Sequence, residues 1–324
     1  MISEMRESAP RTELFGIQVY TFGLFCALGA LVAAAAILIL SRAGGNKKGT
    51  GPLLACLSIL FGTAGARLFF CLLNFPGYGS VPFNAWFSLQ DGGFSLFGMI
   101  FGTFLGTWIC ARITGENAAA MLDISACALP LMIAAERIGE RYFDGFNVSR
   151  SVIKEFPAGT FLAVEDEFYG TSALATWKLS AILAVLLFLI LVFRLTARGK
   201  RDGDQWILFM MLCGAGGVIL ESLRYDYHLE YSFVYLQQII AALMLLWGLI
   251  LAGRRSGKKK PFYGACILTF ILAAAVSGGV EFALDRMNIN HIVLYLLMTA
   301  VLAAPVSLGI LMLTGKVGKG TENR

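Results

Sequence analysis

The sequence predicts an all-α polytopic membrane bundle, and three observations carry that fold class. Of the 324 residues, 57% are hydrophobic and only 15% are charged, with a mean hydropathy of +0.72. Apolar runs near or above ~18 residues, the length a helix needs to cross a bilayer core, recur along the whole chain. Inside a bilayer a span must satisfy its own backbone polar groups, so runs this long are helices.

The runs divide into nine helices. The first, at about 15–41, follows a stretch carrying Glu4, Arg6, Glu7, Arg11 and Glu13. Its apolar run is too long for a signal-peptide core, so no cleavable leader is expected. The second, 52–73, holds Arg67. The third, 94–113, contains Gly98-x-x-x-Gly102-x-x-x-Gly106, a spacing that lets a neighbouring backbone approach closely or leaves room for a lipid chain or headgroup. The fourth, 118–138, has Asp123 near its start, suited to a helix cap or an ion pair, and ends in Glu136-Arg137. The fifth, 174–194, follows the longest loop, 139–173, which contains Glu165-Asp166-Glu167 and an Asn147-Val-Ser149 sequon. The sixth, 205–223, closes on Glu221-Ser-Leu-Arg224, whose two charged ends can share a helix face. The seventh is 232–253. A basic run and Pro261 separate it from the eighth and ninth, 262–283 and 290–313. Residues 1–253 therefore read as one membrane domain and 254–324 as a C-terminal extension.

Loop charge sets the orientation. The loops after the odd-numbered helices hold sixteen Lys and Arg, and the opposite side holds nine. Positive-inside logic places the sixteen in the cytoplasm, the N-terminus outside and residues 139–173 outside. Residues 74–91 carry no Lys or Arg but contain Tyr78, Trp86 and Phe87, which suits them to the outer interface. The net charge of +5 reflects basic loops beside an anionic membrane surface and does not argue for nucleic acid.

Arg67 and Glu136-Arg137 are the most informative residues. A charge at the centre of a spanning helix costs about 2.5–3.5 kcal/mol on insertion scales, so it faces a bundle interior and finds a partner. Two readings are open, an ion pair between helices and an anion site at membrane depth. Arg137 and Arg224, both on the outer side, have the planar donors that grip a phosphate in bidentate fashion. The seven cysteines fall inside apolar runs without C-x-x-C spacing and read as small buried hydrophobes. The two histidines, His228 and His291, sit at helix ends and read as interfacial side chains. Neither a metal-ligand motif nor a cofactor motif is present.

Five segments in order resemble the bacterial prolipoprotein diacylglyceryl transferases over roughly residues 14–253. Phe15-Gly-Ile-Gln-Val-Tyr-Thr-Phe-Gly-Leu-Phe25 resembles the family's first-helix entry, and Gly65-Ala-Arg-Leu68 its second-helix signature. Asp91-Gly-Gly-Phe-Ser-Leu-Phe-Gly98 is similar to its glycine-rich third-helix start. Glu136-Arg-Ile-Gly139 stands where the family has Gly-Arg-Ile-Gly, and Glu221-x-x-Arg224-x-Asp226 where it has Glu-x-x-Arg-x-x-Asp. Four positions depart from the pattern. Phe97 takes the place of a histidine, Phe22 of a tyrosine, Glu140 of an asparagine and Gly217 of an arginine.

The resemblance implies a multi-pass enzyme of the bacterial plasma membrane. It would move the diacylglyceryl group of phosphatidylglycerol onto the lipobox cysteine of preprolipoprotein signal peptides, with membrane lipids as further partners. Arg67, Arg137 and Arg224 would bind the lipid phosphate. With Phe97 at the histidine position, Glu140 or Glu221 would have to act as the base. The alternative is a non-catalytic descendant that binds anionic lipid or lipoprotein precursors in the membrane. The resemblance assigns no role to the last two helices.

Overall fold

The computed structural model of the protein describes residues 11–74, 86–87, 93–142, 156–166, 170–196, 201–224, 230–231, 233–256 and 260–314. Among these residues nine helices are long and apolar enough to cross a membrane. They fall into two compact units, one of residues 1–206 with 223–229, the other of 207–222 with 230–324. The segments around Asn147-Val-Ser149, Asp226 and His228, and most of 74–91, lie outside the described residues.

In the first unit a hairpin precedes the first helix. Strands β1 (Arg11–Leu14) and β2 (Ile17–Tyr20) pair antiparallel, with Arg11 opposite Tyr20 and Leu14 opposite Ile17. Phe15 and Gly16 make the two-residue turn at φ 52° and 79°, the left-handed pair that matches strand twist in tight hairpins. Helix α1 is therefore Thr21–Ala43, and the expected start at residue 15 is corrected. Apolar content alone extended the helix backward, whereas Gly16 and the β-favouring Ile17, Val19 and Tyr20 close a hairpin.

Helices α2 (Thr50–Leu73) and α3 (Leu96–Thr114) pack backbone to backbone. A methyl group added at Gly106 would lie 2.5 Å from the Leu57 carbonyl oxygen, and one at Gly65 would lie 2.5 Å from that of Gly98. The glycine ladder is thus filled by α2, and the alternative of space for a lipid chain along it is excluded. Helix α4 (Ala118–Gly139) packs against α1 and against α5 (Thr176–Thr196). Its Asn117 cap accepts the Ala119 N–H at 3.0 Å. Ala33, Ile37, Leu54, Cys110, Met121 and Ile124 knit α1–α4 into one apolar cluster. Beside it lies an apolar pocket whose lining includes Ser58, with a buried hydroxyl that has no hydrogen-bond partner among the described residues. Part of the expected 139–173 loop is ordered as a second hairpin, β3 (Ala163–Asp166) with β4 (Thr171–Leu174). Lys178 holds its entry by donating to the Phe161 and Ala163 carbonyls at 2.8 and 3.2 Å.

Helix α6 (Asp204–Ser222) starts in the first unit, where Asp123 of α4 caps it. The Asp123 carboxylate, 2% exposed, accepts the N–H groups of Gly203, Gln205 and Trp206 at 2.8, 2.9 and 3.0 Å. These are the orphan donors of a helix start, met by the carboxylate that the positive end of a helix favours.

The second unit holds the rest of α6, a short hairpin of β5 (Glu230–Tyr231) and β6 (Val234–Tyr235), α7 (Leu236–Ser256), α8 (Lys260–Arg286) and α9 (His291–Thr314). The hairpin moves the start of α7 from the expected 232 to 236. A methyl added at Gly214 would stand 2.7 Å from the Leu245 nitrogen, so α6 and α7 are as close as α2 and α3. Within this unit polar side chains tie the last two helices to α6 and α7. The Gln238 amide donates to Glu281 Oε1 at 2.7 Å and to the Val218 carbonyl at 3.1 Å. The Ser222 and Tyr295 hydroxyls lie 3.2 Å apart. All seven cysteines are free thiols; Cys56 is exposed on α2, against the expectation that every cysteine is a buried hydrophobe.

Candidate functional site

A cluster of charged side chains in the first unit forms where α4 ends. The helix runs through Glu136-Arg137-Ile-Gly139 and tightens into a three-residue 3₁₀ turn, Glu140–Tyr142. Spacing of three puts Glu140 back over Arg137, and the Arg137 Nη1 donates to Glu140 Oε1. Arg137 Nε also lies 3.4 Å from Glu136 Oε2. From the segment after α6, Arg224 Nη2 donates to the same Glu140 Oε1 at 2.9 Å. Two guanidinium groups thus converge on one carboxylate oxygen. Arg137 is 5% and Glu140 9% exposed, so the pair is desolvated and each charge depends on its partner.

Aromatic packing fixes the turn. The Phe25 ring of α1 stacks on Tyr142 with centroids 5.5 Å apart. Gly139 admits that approach, since a methyl there would meet Phe25 Cβ at 2.9 Å and Phe22 Cδ2 at 3.3 Å. The Arg141 guanidinium lies over the rings of Tyr142 and Trp177 at 5.8 and 6.0 Å.

The sequence-predicted residues separate into three groups. Arg137, Glu140 and Arg224 come together. Arg67, 2% exposed, donates Nε to the Trp86 carbonyl at 3.0 Å and Nη1 to the Gly93 carbonyl at 3.2 Å, with its guanidinium 5.9 Å from the Phe70 ring. Those bonds hold the entry into α3, where Ser95 donates its N–H to the Ala66 carbonyl at 3.0 Å. Glu221, 2% exposed, lies on the last turn of α6 in the second unit. Of the four departures, Phe97 is buried in α3, Phe22 packs on Gly139, Gly217 lies within α6 of the second unit, and Glu140 is the anion between the arginines.

Sequence reasoning missed the Gln238–Glu281 and Ser222–Tyr295 pairs of the second unit. A carboxylate isolated in an apolar run was the available signal, since such a group must find a donor. It also missed that Asp123 caps a different helix from its own.

A family model described as prolipoprotein diacylglyceryl transferase matches residues 11–253. Among curated proteins, a phosphatidylglycerol–prolipoprotein diacylglyceryl transferase of Staphylococcus carnosus is 25% identical over 268 residues, covering 81% of this chain and 95% of the relative. Proteins of the same name from Staphylococcus haemolyticus and Staphylococcus aureus are also 25% identical. They match over 210 and 254 residues, covering 63% and 76% of this chain and 72% and 88% of the relatives.

Proposed function

The chain belongs to the prolipoprotein diacylglyceryl transferase family, and from that premise we propose that it transfers the diacylglyceryl group of phosphatidylglycerol to the lipobox cysteine of preprolipoproteins. It is a multi-pass membrane protein, and the reading places it in the bacterial plasma membrane with its N-terminus outside. The observation that carries the reading is the meeting of Arg137 and Arg224, 87 positions apart in the chain, at one buried anion. Two planar donors facing one oxygen are the arrangement that recognises a phosphodiester.

In the proposed reaction the lipid phosphate lies against Arg137 and Arg224. The cysteine sulfur attacks the diacylglyceryl carbon, a carbon–sulfur bond forms, and the carbon–oxygen bond to phosphate breaks. The electron pair leaves with glycerol phosphate, whose growing charge the arginines stabilise. A thiol with a reference pKa of about 8.5 is mostly protonated at neutral pH, so a carboxylate must take its proton. Glu140 and Glu221 are the candidates, since Phe97 has no proton to exchange. Arg67, bonded to backbone carbonyls, acts by holding the start of α3 beside the lipid.

The test is direct. Purified full-length protein is given phosphatidylglycerol and a lipobox peptide, and the peptide mass is followed. A mass gain of one diacylglyceryl group is expected. A peptide left unmodified, together with failure to rescue a transferase-depleted bacterium, would overturn the reading.

A further inference from the structure

We infer that Glu140 is a resident anion that the substrate phosphate must displace, and that this displacement is what releases Glu140 to act as the base. The inference rests on the transfer reading above. Three observations support it. Both arginines direct a nitrogen at one atom, Glu140 Oε1, so the carboxylate occupies the position a phosphate oxygen would take. All three side chains are buried or nearly so, so neither ion finds a full substitute in water. Glu140 is the residue at which α4 gives way to a three-residue 3₁₀ turn, its N–H still bonded to the Glu136 carbonyl, so its side chain can change rotamer while that backbone bond is kept.

An arginine pair closed by an internal carboxylate has two consequences. Neutral and weakly anionic headgroups do not compete with Glu140, so the cluster selects for a phosphodiester that can bind both guanidinium groups at once. A carboxylate held by two guanidinium donors is also a poor proton acceptor, because accepting a proton would weaken both bonds. When a phosphate takes the donors, the freed carboxylate accepts the thiol proton as the carbon–sulfur bond forms and glycerol phosphate departs. The base thus becomes active only with the lipid in place. An asparagine at this position, as in the family pattern, is neutral and cannot play this part.

Full-length detergent-purified protein is titrated with dioctanoyl phosphatidylglycerol, and transfer to a lipobox peptide is measured in parallel. Removing the competing charge in Glu140→Gln, and separately in Glu140→Asn, should lower Kd by about tenfold or more, the scale set by charge-assisted hydrogen bonds. At the same time kcat should fall by about 10²–10⁴-fold as general base catalysis is lost. A variant that binds no more tightly than the wild type overturns the exchange. A second measurement needs no variant: carbodiimide labelling of Glu140 in the wild type should rise several-fold when the lipid is added, and labelling that does not change also overturns it. If labelling rises and binding tightens but the wild type lipidates no peptide, the transferase reading fails while the exchange stands.

Discussion

At the scale of the residue, each buried arginine is defined by the acceptor it meets, a carboxylate for Arg137 and Arg224 and backbone carbonyls for Arg67. Arg137 and Arg224 share Glu140, and a point charge cannot reproduce the planar donors of a guanidinium. Arg137→Lys is therefore expected to lose nearly as much transfer activity as Arg137→Ala, measured as lipidated peptide formed per minute. Comparable activity in Arg137→Lys and the wild type would remove the bidentate argument. Arg67→Ala strands the Trp86 and Gly93 carbonyls and should cost about 1–3 kcal/mol, read as a lower Tm in detergent. That these arginines are buried and partnered was legible in the sequence, because bilayer physics forbids them otherwise. Which partner each one takes was not. Glu140 and Arg224 are 84 positions apart, and no periodicity within either helix encodes their meeting.

At the scale of the element, helix existence was legible and helix entry was not. Bilayer thickness fixes how many apolar residues a span requires, so each of the nine runs announced itself. The starts of α1 and α7 were misplaced because hairpin residues such as Ile17, Val19, Val234 and Tyr235 are as apolar as helical ones. The glycine ladder of α3 was legible as a close approach, although its partner helix was not. Gly106→Ala should cost about 1–3 kcal/mol by driving a methyl onto the Leu57 carbonyl. Gly264→Ala, with open space around it, should leave stability within about 0.5 kcal/mol. Thermal unfolding of the two variants in one detergent checks the contrast, and equal Tm values would contradict the packing described for α2 and α3.

At the scale of the whole molecule, charge asymmetry predicts the orientation, and polar pairs join the C-terminal extension to α6 and α7. Reporter fusions at Gly49 and Arg201 should read cytoplasmic and one at Gly159 external; an external reading at Arg201 would reverse the topology. The family match ends at residue 253, yet Gln238 and Ser222, inside the match, bond to Glu281 and Tyr295 beyond it. A chain ended at residue 253 leaves those two polar side chains without these partners, at about 1–3 kcal/mol each. It should melt at lower temperature than the full chain, and Glu281→Ala should reproduce part of that loss.

Asp123 links this architecture to the time course of synthesis. Its carboxylate caps residues 80 to 83 positions further along the chain. At roughly 5–20 residues per second, those donors leave the ribosome about 4–16 s after Asp123 does. For that interval the Asp123 carboxylate, near the start of α4, has none of these N–H groups to receive, so the contact that joins α4 to α6 forms only after α5 has been made. Asp123→Ala, which removes the acceptor of all three N–H groups, should slow the gain of protease resistance in a pulse-chase assay, and an unchanged rate would contradict this role for the cap.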